Sequence, residues 1–332
     1  MRKLLTLIIV VAAVWAGYWV IGSTGHKAAV TKWMDDRRAE GWQVEYSDHV
    51  VRGFPNRFDT TLTDLQLTDP ETGISWQAPF FQVLSLSYKP NHLIAVWPAE
   101  QIFATPHGKL SVRSETMRAS LVVKPSTALE LDRATVEMAG ASVTSSDGWT
   151  ASFDRLNAAI RNAPATASTY DVVVDIATLL PGEQFRRIID QGGTLPNQIE
   201  ALKLDVQAEL AGPLNRRALE TRRPDVAGLK VNVIRGTWGQ LDLRAKGEME
   251  VRDAKPEGEL AITAKNWRDM LALAVQAGAV EASAASAAEF GLGLLANASG
   301  NPNALDATLR FSSGATFLGP LPIGPAPEIR LP

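Results

Sequence analysis

Cysteine is absent from the 332 residues, which excludes disulfides, thiolate metal sites and a lipidated N-terminal cysteine. Any attachment to a membrane must then come from the chain itself. The absence leaves the redox compartment open. Histidine is scarce: the 4 residues His26, His49, His92 and His107 are scattered, and none stands in H-E-x-x-H or another ligand spacing. Asp48-His49 and Asn91-His92 fall in or near turns and read as exposed turn residues. The formal net charge is -3, and without a long run of Lys and Arg nucleic acid is not expected as a partner.

Catalytic signatures are missing as well. There is no G-x-S-x-G elbow and no P-loop. Gly291 to Ala296, "GLGLLA", spells G-x-G-x-x-A, but it lies in an alanine-rich helical stretch rather than after a strand, so a dinucleotide site fails on context. The acidic pairs Asp35-Asp36 and Glu248 with Glu250 read as solvated faces. No catalytic residue, metal or cofactor is therefore expected, and the chain reads as a non-enzyme. Three arginine pairs, Arg186-Arg187, Arg216-Arg217 and Arg222-Arg223, read as helix-end charges in water, with anionic headgroups or a partner's carboxylates as the alternative.

Charge is also missing from Leu4 to Ile21, "LLTLIIVVAAVWAGYWVI". As a helix this run extends about 27 Å, close to a bilayer core of about 30 Å. It exceeds the usual signal-peptide core and no clear A-x-A site follows, so an uncleaved anchor is expected ahead of a cleaved signal peptide. Arg2 and Lys3 favour a cytoplasmic N-terminus, although Lys27 and Lys32 weaken the asymmetry. Trp15, Tyr18 and Trp19 cluster toward the distal end and read as headgroup-level anchors.

At 45% hydrophobic and 21% charged residues, the chain can bury a large core. After Gly22-Ser23-Thr24-Gly25, the residues Ala29, Val30, Trp33 and Met34 share a face of a short amphipathic helix. From Trp42 to Arg161 the pattern has period two, cut by turn clusters at "TDPETG", "KPNH", "TPHG" and "SSDG". Within "VVRGFPNRFD", Gly53, Phe54 and Pro55 mark a structural bend, because glycine takes angles other residues avoid and proline gives no ladder donor.

The alternation is cleanest farther on. In "LKLDVQAEL", Leu202, Leu204, Val206, Ala208 and Leu210 alternate with Lys203, Asp205, Gln207 and Glu209. In "LDLRAKGEMEV", Leu241, Leu243, Ala245, Met249 and Val251 alternate with charged residues. Each strand has one dry and one wet face, the mark of an antiparallel sheet covered on one side. "PGEQFRRIIDQGG" and "NWRDMLALAVQAG" read as helices, the second followed by an alanine-rich helix. The ending "GATFLGPLPIGPAPEIRLP" reads as an extended run docked along the body, with a recognition tail as the alternative.

The fold expected is mainly β (α+β): an N-terminal transmembrane helix, then extended curved antiparallel sheets with a few covering helices. The expected divisions are an anchor at 1-25, an amphipathic helix with an N-terminal β region at 26-163, and a C-terminal β region at 164-332.

The segments "GWQVEYSDHVVRGFPNRFD", "NWRDMLALAVQAG" and "GATFLGPLPIGPAPEIRLP" together resemble the bacterial domain of unknown function 2125 family. The resemblance spans nearly the whole chain and implies a membrane helix with an extracytoplasmic body. It supplies no catalytic residues. A looser resemblance to AsmA-like envelope proteins rests on the anchor, the Gly53-Phe54-Pro55 bend and the one-sided strands, and implies an apolar groove for acyl chains.

The functional expectation is a single-pass protein of the bacterial inner membrane, held by Leu4 to Ile21, with its body in the periplasm. A lipid or other hydrophobic ligand is expected on a sheet face formed by Leu202, Leu204, Val206, Leu241, Leu243 and Met249. The alternative is a structural or assembly protein that engages another envelope protein.

Overall fold

The computed structural model describes every residue except Ala165, Ala167, Thr221, Arg222, Ala279, Ser299, Pro320 and Pro332; for Leu219, Glu220 and Leu321 only the backbone is described. Arg222, Pro320 and Pro332, singled out in the sequence, thus lie outside the described residues. The chain forms two compact units: Met1–Val123 with Val136–Gly148, and Lys124–Thr135 with Trp149–Pro332.

The first unit opens with α1 (Arg2–Ala39). Strands follow as β1 (Gln43–Glu45), β2 (Asp48–Arg52), β3 (Arg57–Thr68), β4 (Ser75–Leu86), β5 (Lys89–Val96), β6 (Glu100–Thr105), β7 (Gly108–Arg113), β8 (Thr116–Val123) and β9 (Leu131–Ser145). Residues 131–135 of β9 belong to the second unit. All pairings are antiparallel: β3 takes β1, β2 and β4, β4 takes β5 and β6, β5 takes β8, and β7 takes β6 and β9.

The anchor and the short amphipathic helix expected after Gly22-Ser23-Thr24-Gly25 are one helix, for α1 runs straight through those residues. The hydroxyls of Ser23 and Thr24 donate back to the Val20 carbonyl at 3.1 and 2.8 Å, which satisfies them inside the helix. Farther along, Met34 of α1 is buried with Val44, Leu62 and Leu65, and Val30, Trp42 and Tyr46 pack around them. "KPNH" also differs from expectation, since Lys89 to His92 begin β5 and the turn falls at Ser87-Tyr88.

His49 corrects a third reading. It lies inside β2 and is 6% exposed, its Nε2 buried without a hydrogen-bond partner among the described residues. Burial, and then the positive charge of Lys27, hold its pKa below 6.5, with Asp48 opposing. The unfolded chain therefore binds a proton before the native one does as pH falls. Stability from this site is complete above about pH 7 and is lost as pH drops through about 6.5 toward the lowered native value. Urea midpoints of the full chain should fall more steeply between about pH 7.5 and 5.5 than those of His49→Phe. Equal slopes would sink the assignment.

The second unit is a meander. Its elements are β10 (Thr150–Asn162), β11 (Thr169–Leu180), α2 (Glu183–Ile189), β12 (Ile199–Leu210), α3 (Arg216–Glu220), β13 (Val226–Trp238), β14 (Leu241–Arg252), β15 (Lys255–Lys265), α4 (Trp267–Gln276), α5 (Ala282–Ala298), β16 (Ala304–Ser312), β17 (Ala315–Leu318) and β18 (Leu321–Pro325). From β10 to β18 each strand pairs antiparallel with the next. Mostly antiparallel sheet with a long apolar N-terminal helix is the fold class the patterning implies.

The end of the chain docks. Leu321–Pro325 pairs with β17, Ala326 N donates to Gly314 O at 2.9 Å, and Ile329 N to Ala254 O at 2.7 Å. Its apolar residues Ala326, Ile329 and Leu331 pack against buried Tyr170, Val251, Met249 and Phe311.

Candidate functional site

Cross-strand register sorts the apolar residues of the second unit into rows on one face, because paired residues in an antiparallel ladder point to the same side. One row runs Leu156, Ile176, Leu202, Gly236, Leu243, Ala264, Leu305. The next runs Ala158, Val174, Leu204, Ile234, Ala245, Ile262, Ala307. A third carries Ile160, Val172, Val206, Val231, Gly247, Leu260 and Leu309, and a fourth Tyr170, Ala208, Leu229, Met249, Gly258 and Phe311.

The face is covered at both ends. Trp267 of α4 and Ala296 of α5 bury Ala264 and Leu305, with Met270, Leu271, Leu292 and Leu295 around them. At the other end Val231, Met249, Leu260 and Phe311 are buried with Ala326 and Ile329 of the tail. The middle differs. Ile176, Leu202, Val174, Leu204, Ala245 and Ile262 are only partly buried, and Leu243 is 40% exposed. None of these belongs to a packed cluster of the described residues. Gly236 sits between Leu202 and Leu243 and adds no side chain, so the strip is lowest there.

The six residues expected to line a ligand face thus separate. Leu202, Leu204 and Leu243 stand on the open strip, and Val206 packs against its buried end. Met249 is core. Leu241 is buried beside a cleft of about 570 Å³ that it lines with Leu195, Pro196, Gln240, Asp269 and Leu273. The two covering helices were readable in the sequence, but not which residues they cover; connection length decides that, since β15 to β16 carries both helices, whereas β13 to β14 turns at once at Gly239-Gln240 and brings none.

The opposite face is charged and internally paired. Arg235 and Arg244 both bond the Asp242 carboxylate, at 2.8 and 2.7 Å, and Lys230 meets Glu248 at 2.7 Å. The Arg244 guanidinium, followed by that of Arg235, holds Asp242 below the usual carboxylate range although burial opposes it. Among the described residues no group of His, Asp or Glu is placed to hold a metal. Of the arginine pairs, Arg186 and Arg187 lie in the last turn of α2 and Arg216 and Arg217 on α3.

In the first unit the bend at Gly53-Phe54-Pro55 receives α1. Trp15 Nε1 donates to Pro55 O at 3.0 Å, Trp19 Nε1 to Arg57 O at 2.8 Å, and the Tyr18 hydroxyl to Ser87 O. Trp19 meets Phe54 edge-on at 5.5 Å, and His26 lies over Phe58 at 4.8 Å. Gly22 passes so close that a Cβ would overlap the Phe58 ring. Gly53 has φ +106, and a Cβ there would stand 2.7 Å from Arg57 Cβ; the turn closes through Arg57 N to Gly53 O at 2.8 Å. The aromatic cluster expected only as headgroup anchors is therefore also the joint between helix and body.

The chain matches one family model over most of its length. It belongs to the family described as "Uncharacterized protein conserved in bacteria (DUF2125)", whose model matches residues 19–327. No curated protein and no solved structure matches it. Its N-terminal helix is long and apolar enough to cross a membrane, which is consistent with single-pass anchoring.

Proposed function

We propose that this member of the DUF2125 family is a single-pass protein of the bacterial inner membrane, its body in the periplasm, which holds an acyl chain or another hydrophobic ligand on the open strip of its second unit. The observation that carries the reading is the strip itself: Ile176, Leu202, Leu204, Leu243, Ala245 and Ile262 are partly exposed between two covered ends of one face. A contiguous apolar surface in water costs solubility unless something occupies it. Arg2 and Lys3, ahead of the apolar run, support a cytoplasmic N-terminus. Binding rather than catalysis is the role this surface suits, since its side chains offer no acid, base or nucleophile.

The test is photo-crosslinking of the full chain in micelles with a diazirine-bearing fatty acyl probe, the modified peptides being mapped by mass spectrometry. Labels are expected on β12 and β14. Gly236→Leu fills the low point, where an added Cβ meets nothing closer than Leu202 Cδ2 at 3.5 Å. This variant and Leu204→Glu should each cut labelling of those strands by at least about fivefold, as an added side chain or a buried charge removes the ligand's apolar contacts. Labelling confined to α1, or unchanged in Gly236→Leu, would overturn the reading.

A further inference from the structure

The joint between α1 and the bend fixes a level along the helix. Trp15, Tyr18 and Trp19, which bond the carbonyls of Pro55, Ser87 and Arg57, all lie inside the uncharged run Leu4 to Ile21. From Trp15 to Ile21 the helix rises about 9 Å at roughly 1.5 Å per residue. The end of the first unit that carries Pro55 and Ser87 is therefore held beside helix residues that the apolar run assigns to the bilayer, not above them.

The side chains at that end suit such a position. Phe54 is 59% exposed and Tyr88 58% exposed, whereas Phe58 and Ser87 close by in the chain are buried. Arg52 and Lys89 flank them and are exposed. On α1 itself Val14, Val20 and Ile21 stay exposed while Trp19 faces Phe54 of the bend and Gly22 faces Phe58 of β3. An exposed phenyl ring and a phenol beside cationic side chains, continuous with an apolar helix, match the layered chemistry of a bilayer surface: acyl boundary, then phosphate. An aqueous protein partner has no reason to sit at that level.

We infer that the Phe54-Pro55-Asn56 bend and the Ser87-Tyr88 turn form a second membrane contact. They enter the phospholipid headgroup layer of the leaflet from which α1 emerges, with Arg52 and Lys89 meeting lipid phosphates. The inference rests on anchoring by α1 and is independent of any ligand on the second unit. Its consequence is that the first unit is seated on the bilayer rather than tethered at a distance.

The absence of cysteine makes the test clean. Single substitutions Asn56→Cys, Tyr88→Cys and, at the other end of β3 and β4, Thr72→Cys are made in the full chain, labelled with bimane and reconstituted in phosphatidylcholine–phosphatidylglycerol vesicles. At positions 56 and 88 the iodide quenching constant should be at least about threefold lower than at 72, as for groups sunk about 5–10 Å into an interface. Doxyl groups near the lipid carbonyls should quench 56 and 88 but not 72. Two sites guard against a local disturbance at either one. Labels at 56 and 88 as open to iodide as at 72, on a chain that co-floats with the vesicles, overturn the seat alone. A chain that fails to co-float overturns the anchor and the seat together.

Discussion

Gly247→Val should lower the stability of the second unit by at least about 3 kcal/mol or prevent its folding. Gly247 has φ +157, and a Cβ there would overlap the Glu259 carbonyl oxygen and stand 2.9 Å from Leu260 Cα. Both obstacles are backbone of the neighbouring strand, which no rotamer change can move. Gly258 meets the same wall from the other side: at φ +153 its Cβ would overlap Glu248 O and lie 2.7 Å from Met249 Cα. The two glycines let β14 and β15 approach where Met249 and Leu260 are buried, so parting the strands would also open that core. Urea unfolding of the full chain, followed by tryptophan fluorescence, reads the effect. Gly228→Ala is the control. It has ordinary φ and its nearest neighbour is Met249 O at 3.6 Å, so its unfolding free energy should change by no more than about 0.5 kcal/mol, with the loss of chain entropy in the unfolded state favouring a gain. Equal losses in the two variants would show that close approach is not what these positions require.

How much of this was legible depends on what each signal reports. Alternation in "LKLDVQAEL" and "LDLRAKGEMEV" located β12 and β14 and told which side of each is dry, because a strand's faces repeat every second residue. It could not tell what lies on the dry side, which is decided by tertiary cover: helices α4 and α5 over Leu305, the tail over Phe311, and neither over Leu204. The bend at Gly53 was readable from local backbone chemistry, but its partner was not. Within an unbroken apolar run no periodicity marks one face, so nothing distinguished Trp15 and Trp19 as donors to Pro55 and Arg57. Gly22-Ser23-Thr24-Gly25 spells a break by composition, yet hydroxyls that bond back to Val20 and a glycine under Phe58 suit a helix there. His49 misleads for a similar reason. The five-residue strand Asp48–Arg52 is too short for alternation to outweigh the charges at its two ends.

One end of the open strip is closed by α4 and α5, and Trp267→Ala tests that limit. Trp267 is 2% exposed, donates to Pro302 O at 3.1 Å, and carries the Arg268 guanidinium at 4.4 Å over its ring. It is the large residue of a cluster whose other buried members are Ala264, Ala296 and Leu305. The other buried members are too small to refill the space left by the indole, so truncation should cost about 3–5 kcal/mol. The two small alanines are informative: they let helix and sheet come close, and they contribute little once the indole is gone. Loosening the helices adds the buried Leu305 and Ala264 to the partly exposed rows, which lengthens the apolar surface from the middle of the face to its end. Anilinonaphthalene sulfonate fluorescence of the folded full chain should therefore rise by about twofold or more at temperatures well below the melting transition. Trp33→Ala, on an exposed position of α1, should leave both stability of the second unit and dye binding unchanged. A stability loss in Trp267→Ala with no gain in dye binding would mean that the helices brace the sheet without limiting the strip. The boundary of the open surface would then have to be sought in the strands, where Gly236 and the exposed Leu243 already mark its lowest and most accessible points.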